Sequence, residues 1–294
     1  MDSLSLIVAA LFAVLCVCEG GQLVNSFYKK SCPSAEAIVQ TGCDGSVLLN
    51  TTANNTAEKD AIPNLSLRGF EVIDDAKAQI EKKCPGVVSC ADILALVARD
   101  AVVAASGGPS WRVRTGRRDG VTSIQSEVLN NLPGPFFNFS QLQASFASKG
   151  LSVKDLVVLS GGHTIGIGHC NTFSNRLYNF TGKGDMDPSL DPSYANQLKT
   201  KCTSLADTTT TVAMDPNSSL AFDSAYFTNV KGKRGLFQSD AALLTNSMAK
   251  SIVDKQLATT SFFENFKNSI QQMSEIGVLT GTAGQIRRQC ALVN

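Results

Sequence analysis

Both histidines of this 294-residue chain, His163 and His169, fall in one stretch, DLVVLSGGHTIGIGHC, from Asp155 to Cys170. The apolar run Leu156 to Leu159 ends in Ser-Gly-Gly, and His163 follows at once. Ser152 and Asp155 form an S-x-x-D start signal, a weaker relative of the capping box, so a short buried helix is expected to end at the imidazole. Gly161 and Gly162 remove side-chain bulk, which would let something flat and large approach the backbone there. A buried lone histidine supports two readings: a hydrogen-bonded core residue, or an axial ligand to a haem iron. The rest of the chain has to separate them.

The elements that would carry these residues are mostly helical. Residues 22–40 read as an extended start and then a helix opening after Pro33. Residues 51–67 are polar and loop-like, and 68–83 space Phe70, Ile73, Ala76 and Ile80 at helical intervals. Ser89 is the expected cap of an apolar helix that Gly107-Gly108-Pro109 ends. WRVRTGRRDG is strand-like or a turn, NNLPGPFFN a proline-rich loop, and Ser140 is expected to open a helix that Gly150 closes. NTFSNRLYNF gives another helical turn and PSYANQLKTKC a short helix, with residues 203–220 irregular. Near the C-terminus Phe262, Phe266, Ile270 and Met273 line one face of an amphipathic helix. No repeats occur, and the class is mainly α.

Composition narrows the setting. A formal charge of +1 leaves no nucleic-acid footprint, and no basic run suggests a membrane surface. Residues 4–18 are apolar throughout, too short to span a bilayer, and read as part of a signal peptide over residues 1–21, although no basic residue precedes them. The expected location is therefore secreted and extracellular. Of nine cysteines, Cys16 and Cys18 would leave with the signal, and the seven that remain are an odd number. Sequons at Asn50, Asn54, Asn64, Asn138, Asn179 and Asn217 fit the same route.

Taken together, the stretches FYKKSCPSAEAIV, GCDGSVLL, Asn64–Phe70, VSCADILALVARD, WRVRTGRRDG, NLPGPF, DLVVLSGGHTIGIGHC, FDSAYF and GLFQSD resemble, in this order, the secreted plant (class III) haem peroxidases. The resemblance covers nearly the whole mature chain. It implies a mainly α, two-lobed fold of about ten helices with haem b between the lobes, here a peroxidase domain over residues 22–294 with a distal lobe at about 22–133 and a proximal lobe at about 134–294. It implies an enzyme that uses hydrogen peroxide to oxidise small phenolic donors in one-electron steps, in the response to oxidative stress, as a monomer without nucleic-acid or membrane partners. His163 matches the axial ligand, Asp240 the carboxylate behind it, and Pro133 a residue at the haem edge where donors sit. A carboxylate on the far nitrogen makes an imidazole a stronger donor to iron. The cysteines carry over as Cys32–Cys84, Cys90–Cys290 and Cys170–Cys202, each stabilising by roughly 2–4 kcal/mol. The family also holds two calcium ions. Thr164, Asp215, Ser218, Ala221 (through its carbonyl) and Asp223 match the proximal site; Gly42, Asp44, Ser46 and Glu58 match the distal one. Oxygen donors of these kinds suit a hard cation.

One block of the family pattern is absent. Between SAEAIV and GCDGS the family carries a helix ending in histidine-phenylalanine-histidine-aspartate-cysteine, whereas Ile38-Val39 here run almost directly into Gly42-Cys43. The gap is on the order of thirty residues, longer than two average helices. Four losses coincide: the distal histidine, the distal arginine, one aspartate ligand of the distal calcium, and the partner of Cys43. Cys43 is thus expected to be a free thiol or to link two chains, Asn64 to have lost the distal histidine it would orient, and one calcium ion to bind instead of two. His169 is expected to be a surface or helix histidine, not a replacement. Three outcomes follow: a peroxidase by descent with impaired catalysis, a non-catalytic secreted haem- and calcium-binding protein, or a splice or gene-model product of a normal peroxidase.

Overall fold

The computed structural model describes residues 24–25, 44–216 and 218–294. The expected leader, the helix after Pro33, Cys32, Gly42, Cys43 and the Asn217 sequon lie outside them. Eleven α-helices among the described residues make the chain mainly α, as expected. They fall into two compact units. The first takes in residues up to 105, 110–132 and the C-terminal 271–294, and the second residues 106–109 and 133–270.

In the first unit the apolar spacing of 68–83 becomes helix α1, Phe70–Lys83, which buries Ile73 and Ile80. Helix α2, Cys90–Ser106, starts where the Ser89 hydroxyl accepts the Asp92 amide at 3.0 Å, so Ser89 caps as expected. Val47, Leu48, Ile73, Ile80, Val88, Ile93 and Leu94 form a core around the Cys90–Cys290 disulfide. Strand β1 (Val24–Asn25) pairs antiparallel with β2 (Arg114–Thr115). The chain end returns to this unit through bridges at Arg118–Leu279 and Asp119–Gln285. A buried ion pair, Arg117–Asp92 at 3.0 Å, lies behind β2. Helix α3, Gln125–Asn131, was not expected from the pattern; only Val128 in it is buried, so it carries no apolar stripe to read. Cys84 has no disulfide partner among the described residues.

The second unit holds helices α4 (Phe139–Ala147), α5 (Val153–Ser160), α6 (Ser174–Tyr178), α7 (Pro192–Lys199), α8 (Ala225–Lys231), α9 (Gln238–Ala242), α10 (Ser247–Lys255) and most of α11 (Thr259–Met273). Its cap corrects one expectation. Asn138, not Ser140, opens α4: the Asn138 side chain accepts the Gln141 amide, and the Gln141 side chain accepts the Asn138 amide. That reciprocal pair satisfies two amides, which Ser140, two residues later and already inside the helix, could not do. The stretch 203–220 is not wholly irregular, because β4 (Thr211–Ala213) pairs antiparallel with β3 (Ile167–His169). Helix α10 also lies where no helix was expected. One core surrounds the Cys170–Cys202 disulfide with Phe173, Leu177, Leu190, Leu198, Val212 and Leu236. Phe222, Phe227, Phe262 and Phe266 interlock at centroid distances of 4.8–5.6 Å.

Candidate active site around His163

Helix α5 delivers His163, and its first turn is closed as the S-x-x-D signal predicts. Ser152 Oγ accepts the Asp155 amide at 3.2 Å, and Asp155 Oδ2 accepts the Ser152 amide at 2.9 Å. The other oxygen, Asp155 Oδ1, accepts the Ser269 hydroxyl of α11 at 2.7 Å. Burial alone would push the Asp155 carboxyl up, but the hydrogen bonds from Ser152 and Ser269 hold it below its ordinary value. A single tight turn, Gly161–Thr164, follows. The two glycines have different reasons. A Cβ on Gly161 would meet the Phe262 and Phe227 rings at 2.5–2.8 Å, so this glycine lets the turn pack on the phenylalanine cluster. A Cβ on Gly162 would meet nothing within 4 Å, so this glycine borders open space and is not required by packing.

His163 Nδ1 lies 2.8 Å from Asp240 Oδ1. Asp240 is 1% exposed and fully engaged: the Tyr226 hydroxyl donates to Oδ1 at 2.8 Å and the Phe237 amide to Oδ2 at 2.8 Å. Burial raises the Asp240 carboxyl, but the imidazole, the amide and the hydroxyl together hold it below the usual carboxylate range. Burial, then the Asp240 charge, pushes the Tyr226 phenol well up, so it stays a neutral donor. An ionised carboxylate only accepts, so Nδ1 carries a proton, and in the neutral imidazole Nε2 is then the nitrogen with the lone pair. The ring is clamped edge-on by Phe237 and Tyr226, at 5.3 and 5.9 Å between centroids. Its side chain is 32% exposed. This is not a satisfied core histidine. Nδ1 is held by Asp240, Nε2 has no hydrogen-bond partner among the described residues, and that donor set fits an iron ligand of the haem type.

Thr164, Asp215, Ser218 and Asp223 come together below this turn. Thr164 donates to Asp223 Oδ1 at 3.3 Å and Ser218 donates to Asp223 Oδ2. The Ser218 amide donates to the Asp215 carbonyl at 3.4 Å, and the Ala221 amide to the Ser218 carbonyl at 2.9 Å. Thr164 and Asp215 are buried, and Asn229 donates to Asp215 Oδ1 at 2.9 Å. Two carboxylates and two hydroxyls around one loop fit a calcium ion.

In the first unit Asp44, Ser46 and Glu58 are also brought together. The Ser46 amide donates to Asp44 Oδ1 at 3.1 Å and its hydroxyl to Glu58 Oε2 at 3.1 Å. Burial pushes the Glu58 carboxyl up to about 7 against the Ser46 hydrogen bond, and the Asp44 and Glu127 charges add to the rise. Among the described residues no three His, Cys, Asp or Glu side chains form a metal cluster, so neither calcium set has more than two carboxylates there. Asn64 is buried and donates its side-chain amide to the Glu58 carbonyl at 2.9 Å. Pro133 is half-buried at the start of the second unit. His169 sits on β3, half-buried, with Nδ1 3.2 Å from the Thr208 carbonyl.

Sequence reasoning missed Tyr226, Phe237 and Arg176. Tyr226 and Phe237 stand inside the stretches FDSAYF and GLFQSD, but an apolar or aromatic residue in a short stretch carries no sign of which carboxylate it will face.

A family model described as peroxidase matches residues 18–259. The chain is 53% identical to Peroxidase 27 of Arabidopsis thaliana, covering 98% of each chain over 320 aligned positions. It is 54% identical to Peroxidase 56 of the same plant, over 91% of this chain and 89% of the relative. It is 47% identical to Peroxidase 1 of Oryza sativa subsp. japonica, over the full length of both and 328 positions.

Proposed function

The chain belongs to the peroxidase family of plant haem enzymes, and from that premise we propose that His163 is the axial haem ligand of a secreted peroxidase whose reaction with hydrogen peroxide is impaired. The observation that carries the ligand assignment is the 2.8 Å pairing of His163 Nδ1 with a buried, triply bonded Asp240. Bound there, haem b would supply the redox-active iron at which hydrogen peroxide is reduced while two donor molecules each give up one electron. The chain's own part is to hold Nε2 towards that iron and to keep the Nδ1–H donating to Asp240, which makes the imidazole electron-rich. Small phenols are the proposed donors, at the edge marked by Pro133, and oxidative stress is the proposed setting.

The impairment is read from what the chain lacks. Peroxide must lose a proton to a base and regain one on its leaving oxygen, and a cation must stabilise the charge between them. The family assigns these tasks to a histidine and an arginine on one helix, and the chain has neither that motif nor a third histidine. An alignment of 320 positions is longer than the chain's 294 residues, so at least 26 positions of that relative have no counterpart here. That difference is close in size to the block the sequence lacks. It also keeps a second reading in view, a splice or gene-model product of a normal peroxidase. Sequencing the transcript across the codons for Val39 and Gly42 separates the two.

Secretion is supported by the apolar residues 4–18 and by two disulfides, Cys90–Cys290 and Cys170–Cys202, which persist in oxidising compartments. Among the described residues no helix is long and apolar enough to cross a membrane. The thiol of Cys43 is proposed to be unpaired and Cys84 to bond Cys32; peptide mapping without reduction reads both. The ligand assignment is tested by titrating haem into the purified chain and its His163→Ala variant. The wild type should give the spectrum of histidine-ligated haem. An identical spectrum from the variant would remove His163 from the role.

A further inference from the structure

Asp240 can hold His163 only if the backbone before it is fixed, and a buried cation fixes it. Arg176, in α6, is 1% exposed. The two N–H groups of its Nη1 are shared among three consecutive carbonyls, Gly235 at 2.6 Å, Leu236 at 2.8 Å and Phe237 at 3.0 Å. Its Nε donates to Asp187 Oδ2 at 2.7 Å, and its Nη2 to Ser189 Oγ at 3.3 Å. Asp187 is itself 1% exposed, and its other oxygen accepts the Ser189 amide at 2.7 Å and hydroxyl at 2.6 Å. The pair is therefore satisfied at every oxygen, the condition under which a buried ion pair is tolerated. The three gripped carbonyls end at Phe237, whose amide donates to Asp240 Oδ2 and whose ring clamps the imidazole. Gly235 is part of the same fit, because a Cβ there would lie 2.6 Å from Asp240 Cβ.

We propose that Arg176, held by Asp187, is a positioning residue that sets the tautomer of His163 through the 235–237 backbone and Asp240. A guanidinium can reach three carbonyls and a carboxylate at once because its donors lie in a fixed fork; an ammonium cannot. With the grip loosened, Phe237 and Asp240 drift, the Nδ1–H bond lengthens, and the proton is no longer held on the nitrogen that faces the protein. The proposal rests on the reading of His163 as a ligand, but its test needs no haem.

The chain contains two histidines, so selective 15N-histidine labelling of the full secreted chain gives two imidazoles to read. At about pH 9, where imidazole is neutral, ring nitrogen shifts report which nitrogen carries hydrogen. Wild-type His163 should be the Nδ1–H form. In Arg176→Lys the ratio should move towards Nε2–H by about fivefold, the size of one weakened hydrogen bond. His169 is the internal reference and should not move. Arg117→Lys, at the buried pair with Asp92, is the control for lost stability: its melting temperature should fall while the His163 tautomer stays. Should Arg176→Lys fail to fold, Asp187→Asn keeps the volume and is read in the same way, with a smaller shift in the same direction. An unchanged tautomer in the folded variant, or an equal shift in Arg117→Lys, would overturn the proposal. Failure of the haem titration with His163 intact would instead overturn the ligand reading and leave this result standing.

Discussion

Ser269 reaches across 114 residues of sequence to donate its hydroxyl to Asp155 at 2.7 Å, tying α11 to the first turn of the helix that delivers His163. The same carboxylate closes the cap with Ser152. Asp155→Asn should cost about 1 kcal/mol at neutral pH, the usual size of a lost cap. The pH dependence has a definite sign. A carboxyl held below its ordinary value of 3.8 stabilises the fold above that value, and the contribution is lost as pH falls through the lower folded value. The gap in melting temperature between wild type and variant should therefore be constant from neutral pH down to the ordinary carboxyl value and then close. A gap that persists well below it would show that the carboxylate charge plays no part.

How much of this was legible in the sequence differs by residue. The α5 cap was, because Ser152 and Asp155 are local. The His163–Asp240 contact came from resemblance alone, since nothing in GLFQSD says which side chain 77 residues earlier will meet it. The roles of Gly161 and Gly162 looked alike and are not, because only tertiary packing puts Phe227 and Phe262 against the first. Helices α3 and α10 stayed hidden because each buries one or two side chains, too few to set a period. The return of residues 271–294 to the first unit depends on the Cys90–Cys290 bridge and two isolated strand bridges, none of which has a local signal.

Calcium should bind in the second unit and not in the first. Thr164, Asp215, Ser218 and Asp223 are already drawn together, whereas the set of Asp44, Ser46 and Glu58 lacks a carboxylate that the family supplies. A Glu58 carboxyl pushed up to about 7 is half protonated at neutral pH, a poor donor to a cation. The chelator-treated chain should take up one calcium per molecule by isothermal titration. Asp223→Asn should weaken it by at least about tenfold, since affinity follows ligand charge. Two tight ions per chain would mean that the first unit finds another acid.

Glycans, if the chain is secreted, should be selective among the sequons. Asn50, Asn54, Asn138 and Asn179 are exposed, and none of them uses its side-chain amide as a donor; Asn50, Asn138 and Asn179 only accept through their carbonyl oxygens. Asn64 is 5% exposed and donates its amide to the Glu58 carbonyl at 2.9 Å. A sugar there would break that bond and open the turn, so folded molecules should lack it. Peptide mass mapping after enzymatic deglycosylation in heavy-oxygen water should mark Asn50, Asn54, Asn138 and Asn179. Full labelling at Asn64 in folded protein would contradict the packing seen around Glu58.

Peroxide chemistry is where the missing block should be felt most. The proposed ligand side is held together: His163 is clamped, its Nδ1 faces Asp240 at 2.8 Å, and Arg176 grips the 235–237 backbone. That arrangement makes the iron ligand electron-rich but moves no proton on peroxide. General acid–base catalysis contributes about 10²–10⁴-fold and a preorganised charge partner about 10²–10³-fold. Losing both should slow the reaction of the haem-loaded chain with hydrogen peroxide by several orders of magnitude against an intact relative. His169 does not restore it, because it sits on β3 with Nδ1 beside the Thr208 carbonyl. Stopped-flow mixing of the haem-loaded chain with hydrogen peroxide reads the rate directly, with His169→Gln as the companion variant. A rate near that of an intact relative, lost in His169→Gln, would show that His169 serves as the base. A near-normal rate in both proteins would mean that another group does.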